Sequence, residues 1–179
     1  MPCGTRPTAK TVVCNVKKLM VINFKNIALE SVGLIFTGFG VEKLYIASQS
    51  EKYLAISSGD FDKFEVLATE NIGWFFMQPY LWRFGGIAAG FLIIGLIKLW
   101  RKNKNGLINS LIAFLIVFSL IPIGFFSSSF CNSATNFVGE FLTEKLMLKF
   151  IINGLLWSVL GIVIIWFTQK NTTHNTVYN

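Results

Sequence analysis

Ionisable residues are scarce in this sequence and fall at particular places. Glu30 and the dipeptide Glu42-Lys43 interrupt one apolar run, Arg83 heads a second run that ends near Lys98, and Asn109 and Asn153 are the deepest polar residues of two more. An ionisable group within an apolar helical run serves a proton or a ligand, or pairs with another charge. Glu42 and Arg83 fall at a shared depth, which predicts an ion pair between them. Glu30 lies about one turn inside the edge of its run, where interfacial solvation accounts for it as well as a proton or ligand role does. Lys98 is close enough to an end to snorkel toward head groups. The two asparagines predict interhelical hydrogen bonds. A further cluster, Trp74-Phe75-Phe76-Met77 followed by Pro79, Tyr80 and Trp82, reads as an interfacial anchor or as a pocket for a flat hydrophobic ligand.

The chemistry that is missing narrows the function. The one histidine, His174, is in the polar tail, so the sequence holds no histidine pair for a membrane haem, no HExxH zinc motif and no Ser-His-Asp or Cys-His pair. No metal site and no catalytic residue is expected, and the chain leans toward a non-enzyme when taken by itself. Cys131 is separated from Cys3 and Cys14 by the topology derived below, which disfavours an intrachain disulfide or a redox relay. Cys131 then reads as a small residue at a helix end.

The elements that must position these residues are helices in lipid. Of 179 residues 53% are hydrophobic and only 14% charged, where soluble domains carry about 25% charged residues. The mean hydropathy is +0.58. A bilayer core of about 30 Å needs roughly 20 apolar helical residues. Residues 150–168 and 107–126 meet this directly. Residues 84–100 are shorter, but Trp82 and Trp100 stand about 27 Å apart along a helix, matching two interfacial belts. Residues 27–46 form the weakest span, because Glu30, Glu42 and Lys43 interrupt it.

Charge placement supports the fourth span. With both termini inside, ten of the 16 basic residues fall on the inner side and eight of the nine acidic ones on the outer side. Dropping the first span would bring the basic N-terminus beside the acidic segment from Glu51 to Glu70. The isoelectric point of about 9.5 is therefore a topology signal, and no nucleic-acid partner is expected. The expected fold is all-α: an integral four-helix membrane bundle over residues 25–168, with N-in/C-in topology and a longer outer loop, Gln49 to Pro79, between helices 1 and 2. Residues 1–24 read as a polar extension, disordered or preceding a true start at Met20, and residues 169–179 as a polar cytoplasmic tail. Arg101 to Gly106 is a tight inner turn, Pro122 a kink in the third span, and Phe137 to Leu146 an amphipathic stretch of the last outer loop.

Small residues indicate where helices meet. Gly86 and Gly90 form a GxxxG pair, Gly154 and Ser158 play the same part in the last span, and Gly33, Gly38 and Gly40 lie in the first. These predict a compact bundle, with a homo-oligomeric face as an alternative use.

The stretch Val32 to Leu44, VGLIFTGFGVEKL, resembles the first-span signature of the DoxX-like membrane proteins, with Gly40 to Lys43 as its G-x-x-K ending. Leu148-Lys149-Phe150 before the last span, the Gly-rich second span and the short inner turn extend the resemblance over about residues 25–168, in an order similar to the YkgB-type branch associated with reactive-chlorine stress. Where family members often carry an acidic residue early in the second span, this chain has Arg83-Phe84-Gly85-Gly86, so that carboxylate's role is not carried over. The resemblance implies a four-helix protein of the bacterial inner membrane with redox associations, since relatives include a subunit of thiosulfate:quinone oxidoreductase and a methylamine-utilisation maturation protein.

The functional expectation is a non-catalytic or accessory membrane subunit in a redox, quinone-linked or oxidative-stress process, partnered by the bilayer and an oxidoreductase subunit. A quinone is the candidate ligand. A quinone pocket needs apolar walls and one or two donors, and Glu42, Lys43, Arg83, Trp74 and Trp82 are the candidate residues near the outer surface. A small transporter or channel lined by Glu30, Glu42 or Asn153 is the competing class, and a structural, partner-binding subunit the third.

Overall fold

The computed structural model describes residues 22–58, 72–121 and 125–174. Cys3, Cys14, Pro122 and the acidic stretch 59–70 lie outside the described residues. The described residues form helices and no strands. These are α1 (Phe24–Ser48), α2 (Ser50–Ser58), α3 (Ile72–Trp100), α4 (Lys104–Ser119), a 3-10 turn (Phe125–Ser127), α5 (Ser129–Leu142) and α6 (Leu146–His174). Two helical stretches, Gly73–Trp100 and Leu146–Gln169, are long and apolar enough to cross a membrane, and Lys104–Ser119 is a shorter apolar helix.

α1 starts where the Asn23 side chain accepts a hydrogen bond from Asn26 N at 3.2 Å. It is the hub of the fold, packing most extensively on α6, then on α3 and α4. Its buried positions run all round the helix, from Ile27, Glu30 and Leu34 to Phe39, Glu42 and Lys43. The helix with the most charge interruptions is thus the one most enclosed by protein. Close approach to α6 depends on small residues. A Cβ on Gly40 would lie 2.5 Å from Ser158 N and 2.9 Å from Gly154 O, and one on Gly161 would lie 2.5 Å from Thr37 Oγ1. On the other side, Gly86 and Gly90 of α3 face Val41 and Leu34 of α1. The core between these helices is Leu34, Phe39, Ile87, Ile94, Val117, Phe126 and Cys131.

Several helix ends differ from the expected ones. α3 begins at Ile72, well before Phe84, and carries Pro79 inside it. Proline removes only the bond from its own missing N–H to the carbonyl four residues back, so the helix continues past it at a local cost. The expected long loop 49–79 therefore holds α2 and the first turns of α3. α4 ends at Ser119 instead of running to residue 126. There Ser119 Oγ donates back to Ile116 O at 2.7 Å, and Leu120 and Ile121 close with i→i−3 bonds at 3.2 Å. The last outer loop is largely α5, whose first turn is capped by Ser128 Oγ accepting from Cys131 N at 3.3 Å. Cys131 is a buried residue of that first turn. α6 begins at Leu146 and runs to His174, so residues 169–174 of the expected polar tail are helical.

The turn between α3 and α4 is as tight as expected. Lys102 adopts a left-handed conformation at φ 52°, and α3 closes with bonds from Asn103 N to Lys98 O and from Lys102 N to Leu99 O, both 2.9 Å. Asn103 Oδ1 then accepts from Gly106 N at 2.8 Å and caps α4.

Candidate functional site: two buried ion pairs between α1 and α3

α1 and α3 are clamped at two levels. At the first, Arg83 of α3 meets Glu42 of α1 with a bidentate fork: Nε donates to Oε2 at 2.6 Å and Nη2 to Oε1 at 2.5 Å. Nη1 donates to Phe126 O at 2.9 Å, which ties in the 3-10 turn. The guanidinium carbon lies 4.6 Å from the Phe39 ring centroid, 5.1 Å from Tyr80 and 5.7 Å from Phe126. Arg83 is 1% exposed. A planar cation with paired donors and aromatic faces around it is the arrangement for which lysine is no substitute.

At the second level, Lys98 of α3 meets Glu30 of α1. Nζ donates to Glu30 Oε1 at 2.5 Å, to Ser110 Oγ at 2.6 Å and to Gly106 O at 2.9 Å. Ser110 Oγ in turn donates to Glu30 Oε2 at 2.6 Å, closing a ring of α1, α3 and α4. Glu30 is 0% and Lys98 2% exposed. Both sequence expectations for these residues are corrected: Glu30 is not solvated at an interface, and Lys98 does not snorkel. Lys98 turns inward because Glu30, Ser110 and the Gly106 carbonyl together use its three N–H donors. The levels are about 18 Å apart along α1 and 22 Å along α3.

Of the five expected ligand residues, Glu42 and Arg83 meet directly, while Lys43 and Trp82 also contact other rings and Trp74 is exposed. Glu42 and Arg83 satisfy each other. Lys43, 3% exposed, is directed to α6, with its ammonium 5.5 Å from the Phe150 ring centroid. Trp82 is exposed and stacks on Tyr45 at 5.4 Å, while Tyr45 Oη donates to Gln78 Oε1. Trp74 is exposed about 13 Å along α3 from Arg83. The predicted interhelical asparagine bond is present at Asn153, whose Oδ1 accepts from Gly139 N at 2.8 Å and whose Nδ2 donates to Asn136 O at 3.0 Å. Asn109 is buried with Oδ1 unpartnered among the described residues.

No family model, curated protein or solved structure matches the chain. Among the described residues no three His, Cys, Asp or Glu side chains converge as metal ligands. What the arrangement does is neutralise two cations within an apolar bundle while fixing the register of α1 against α3. Sequence reasoning named the Glu42–Arg83 pair and missed Glu30–Lys98, although the same equal-depth signal was present.

Just outside the clamp, Tyr53 of α2 packs its ring 4.8 Å from Phe75 and 6.4 Å from Phe76. Burial, with smaller contributions from Tyr45, Glu42 and Tyr80, pushes its phenol up to about 12.

Proposed function

We propose that the protein is a multi-pass membrane protein in which α1, α3, α4 and α6 all span, with both termini inside, and that it serves as a non-catalytic accessory subunit of a redox or quinone-linked process. The observation that carries the membrane reading is inside-out polarity. Glu30, Glu42, Arg83 and Lys98 are buried, while Leu92, Leu96, Leu99, Val159, Ile162 and Phe167 are exposed. Water penalises so continuous an apolar surface, and lipid does not. Ion pairing within the bundle is how charges are tolerated at membrane depth. α1, too polar to stand alone in lipid, is shielded by its neighbours.

The redox part rests on the DoxX-like resemblance. Its two segments meet in space, since Lys43 of the first lies over Phe150 of the second. A bacterial inner-membrane location and an oxidoreductase partner follow from the same resemblance. The test is thermal stability of the detergent-solubilised protein with and without a short-chain quinone, together with co-purification from its native membrane. Stabilisation that Lys43→Met removes, or recovery of an oxidoreductase subunit, supports the role. The absence of both results, in a protein that remains folded, contradicts it.

A further inference from the structure

Neither ion pair uses the groove that runs along the α1–α3–α6 junction beside them. Its volume is about 390 Å³, and its walls include Val41, Ile94, Ile97 and Ile165, while Gly86 and Gly90 leave the α3 side recessed. From Gly86 to Arg101 the groove follows about 22 Å of helix, longer than the ~15 Å of half a bilayer core. Its lining is almost wholly apolar apart from Thr37 of α1 and, toward the α3–α4 turn, Arg101 and the α6 residue Gln169. Gln169 is 7% exposed, and its Nε2 has no hydrogen-bond partner among the described residues. A buried amide N–H without an acceptor is costly, so this end of the groove is one acceptor short. Arg101 is exposed and takes part in neither ion pair, and Lys102 and Lys104 follow it in the same turn.

The groove thus combines a hydrocarbon wall with a head site made of donors and positive charge. We propose that it binds an anionic amphiphile, with one acyl chain along α3 and a phosphate-type head accepting from Arg101 and Gln169 Nε2. The occupant rests on the membrane reading, because the groove opens sideways where that reading puts lipid. An anionic head would pair with Arg101 by charge-assisted hydrogen bonds and give the orphan amide an acceptor, a combination that favours it over a neutral head. The head chemistry is shared by a phospholipid and by free phosphate, and the experiment separates them.

The full chain, delipidated in neutral detergent, would be titrated with phosphatidylglycerol carrying brominated acyl chains, reading the quenching of Trp166, which lines the groove. A Trp166→Phe variant identifies that signal. Saturable quenching is expected, weakened about tenfold by Arg101→Gln, with Gln169→Leu also weakening it. Phosphatidylcholine with the same chains should bind more weakly and be indifferent to Arg101→Gln. Ala89→Phe, at an exposed lining position, should block the chain while leaving the helical circular dichroism unchanged. Equal binding of both lipids, or insensitivity to Arg101→Gln in a folded protein, overturns the proposal. So does displacement by inorganic phosphate with no effect of Ala89→Phe, which would assign the head site to free phosphate. Alkaline carbonate extraction of native membranes separates the two readings. A chain that resists extraction but lacks lipid selectivity loses the groove proposal alone, and one that is extracted yet selective loses the membrane reading alone.

Discussion

Lys98 Nζ stands 2.5 Å from Glu30 Oε1, with Ser110 Oγ bonded to both, in a site from which water is excluded. The pair fixes one level of the α1–α3 contact as Glu42–Arg83 fixes the other. Removing one partner leaves an uncompensated buried charge, whereas replacing both leaves an apolar site. Lys98→Met and Glu30→Leu should each destabilise by roughly 3–5 kcal/mol, and the double variant by much less than the sum. A double-mutant cycle from thermal or denaturant unfolding in detergent measures this. Additive losses would show that the two side chains do not interact.

Arg83→Lys tests whether geometry matters beyond charge. Lysine keeps the cation but loses the fork to Glu42, the bond to Phe126 O and the stacking on Phe39 and Tyr80. A loss of about 2 kcal/mol or more is expected, seen as a lower Tm than wild type. An unchanged Tm would mean that a point charge is enough.

Gly40 and Gly85 make opposite predictions for the same substitution. Gly40→Ala brings a Cβ within 2.5 Å of Ser158 N and must push α1 from α6, whereas a Cβ on Gly85 meets nothing within 4 Å. Gly40→Ala should cost about 1–3 kcal/mol, and Gly85→Ala should gain up to about 1 kcal/mol from helix propensity. Unfolding midpoints of the two variants, measured side by side, check the difference in sign.

Tyr53 gives the expected pH dependence. Its phenol is raised by burial to about 12 from an ordinary value near 10. A raised pKa means that the folded state holds its proton where the unfolded chain releases it. The stabilisation is therefore complete below about pH 10 and is lost as pH rises from there through about 12. Unfolding midpoints of wild type and Tyr53→Phe across this window should differ in slope, with the variant flatter. Identical slopes would place the Tyr53 hydroxyl in water.

In the sequence α6 was legible directly and α3 only in part, as a shorter span from Phe84, while the span expected at 107–126 is a helix that ends at Ser119. α1 was the least legible and proves to be the hub. Hydropathy counts the charges of Glu30, Glu42 and Lys43 but not the partners that enclose two of them. Equal depth was enough to pair Glu42 with Arg83. Applied to Glu30 and Lys98 it would have paired them too, had each not been assigned to water on its own. Within the expected ligand cluster Glu42 and Arg83 meet, and Lys43, one residue on and about 100° round the helix, also reaches Phe150 of α6. The groove at Arg101 and Gln169 was not legible at all, since it joins residues from helices distant in sequence and depends on how those helices rotate.

The proposed four membrane crossings of this inside-out bundle are tested most directly by which side of the membrane its helix ends face. Single cysteines at Ser48 and Lys145, on one side of the proposed topology, and at Phe24 and Lys102, on the other, would be introduced after replacing the native cysteines. Intact cells are then treated with a membrane-impermeant maleimide before and after permeabilisation. The account predicts labelling of the Ser48 and Lys145 positions in intact cells, and of Phe24 and Lys102 only after permeabilisation. Labelling of Ser48 and Lys102 from the same side would contradict it.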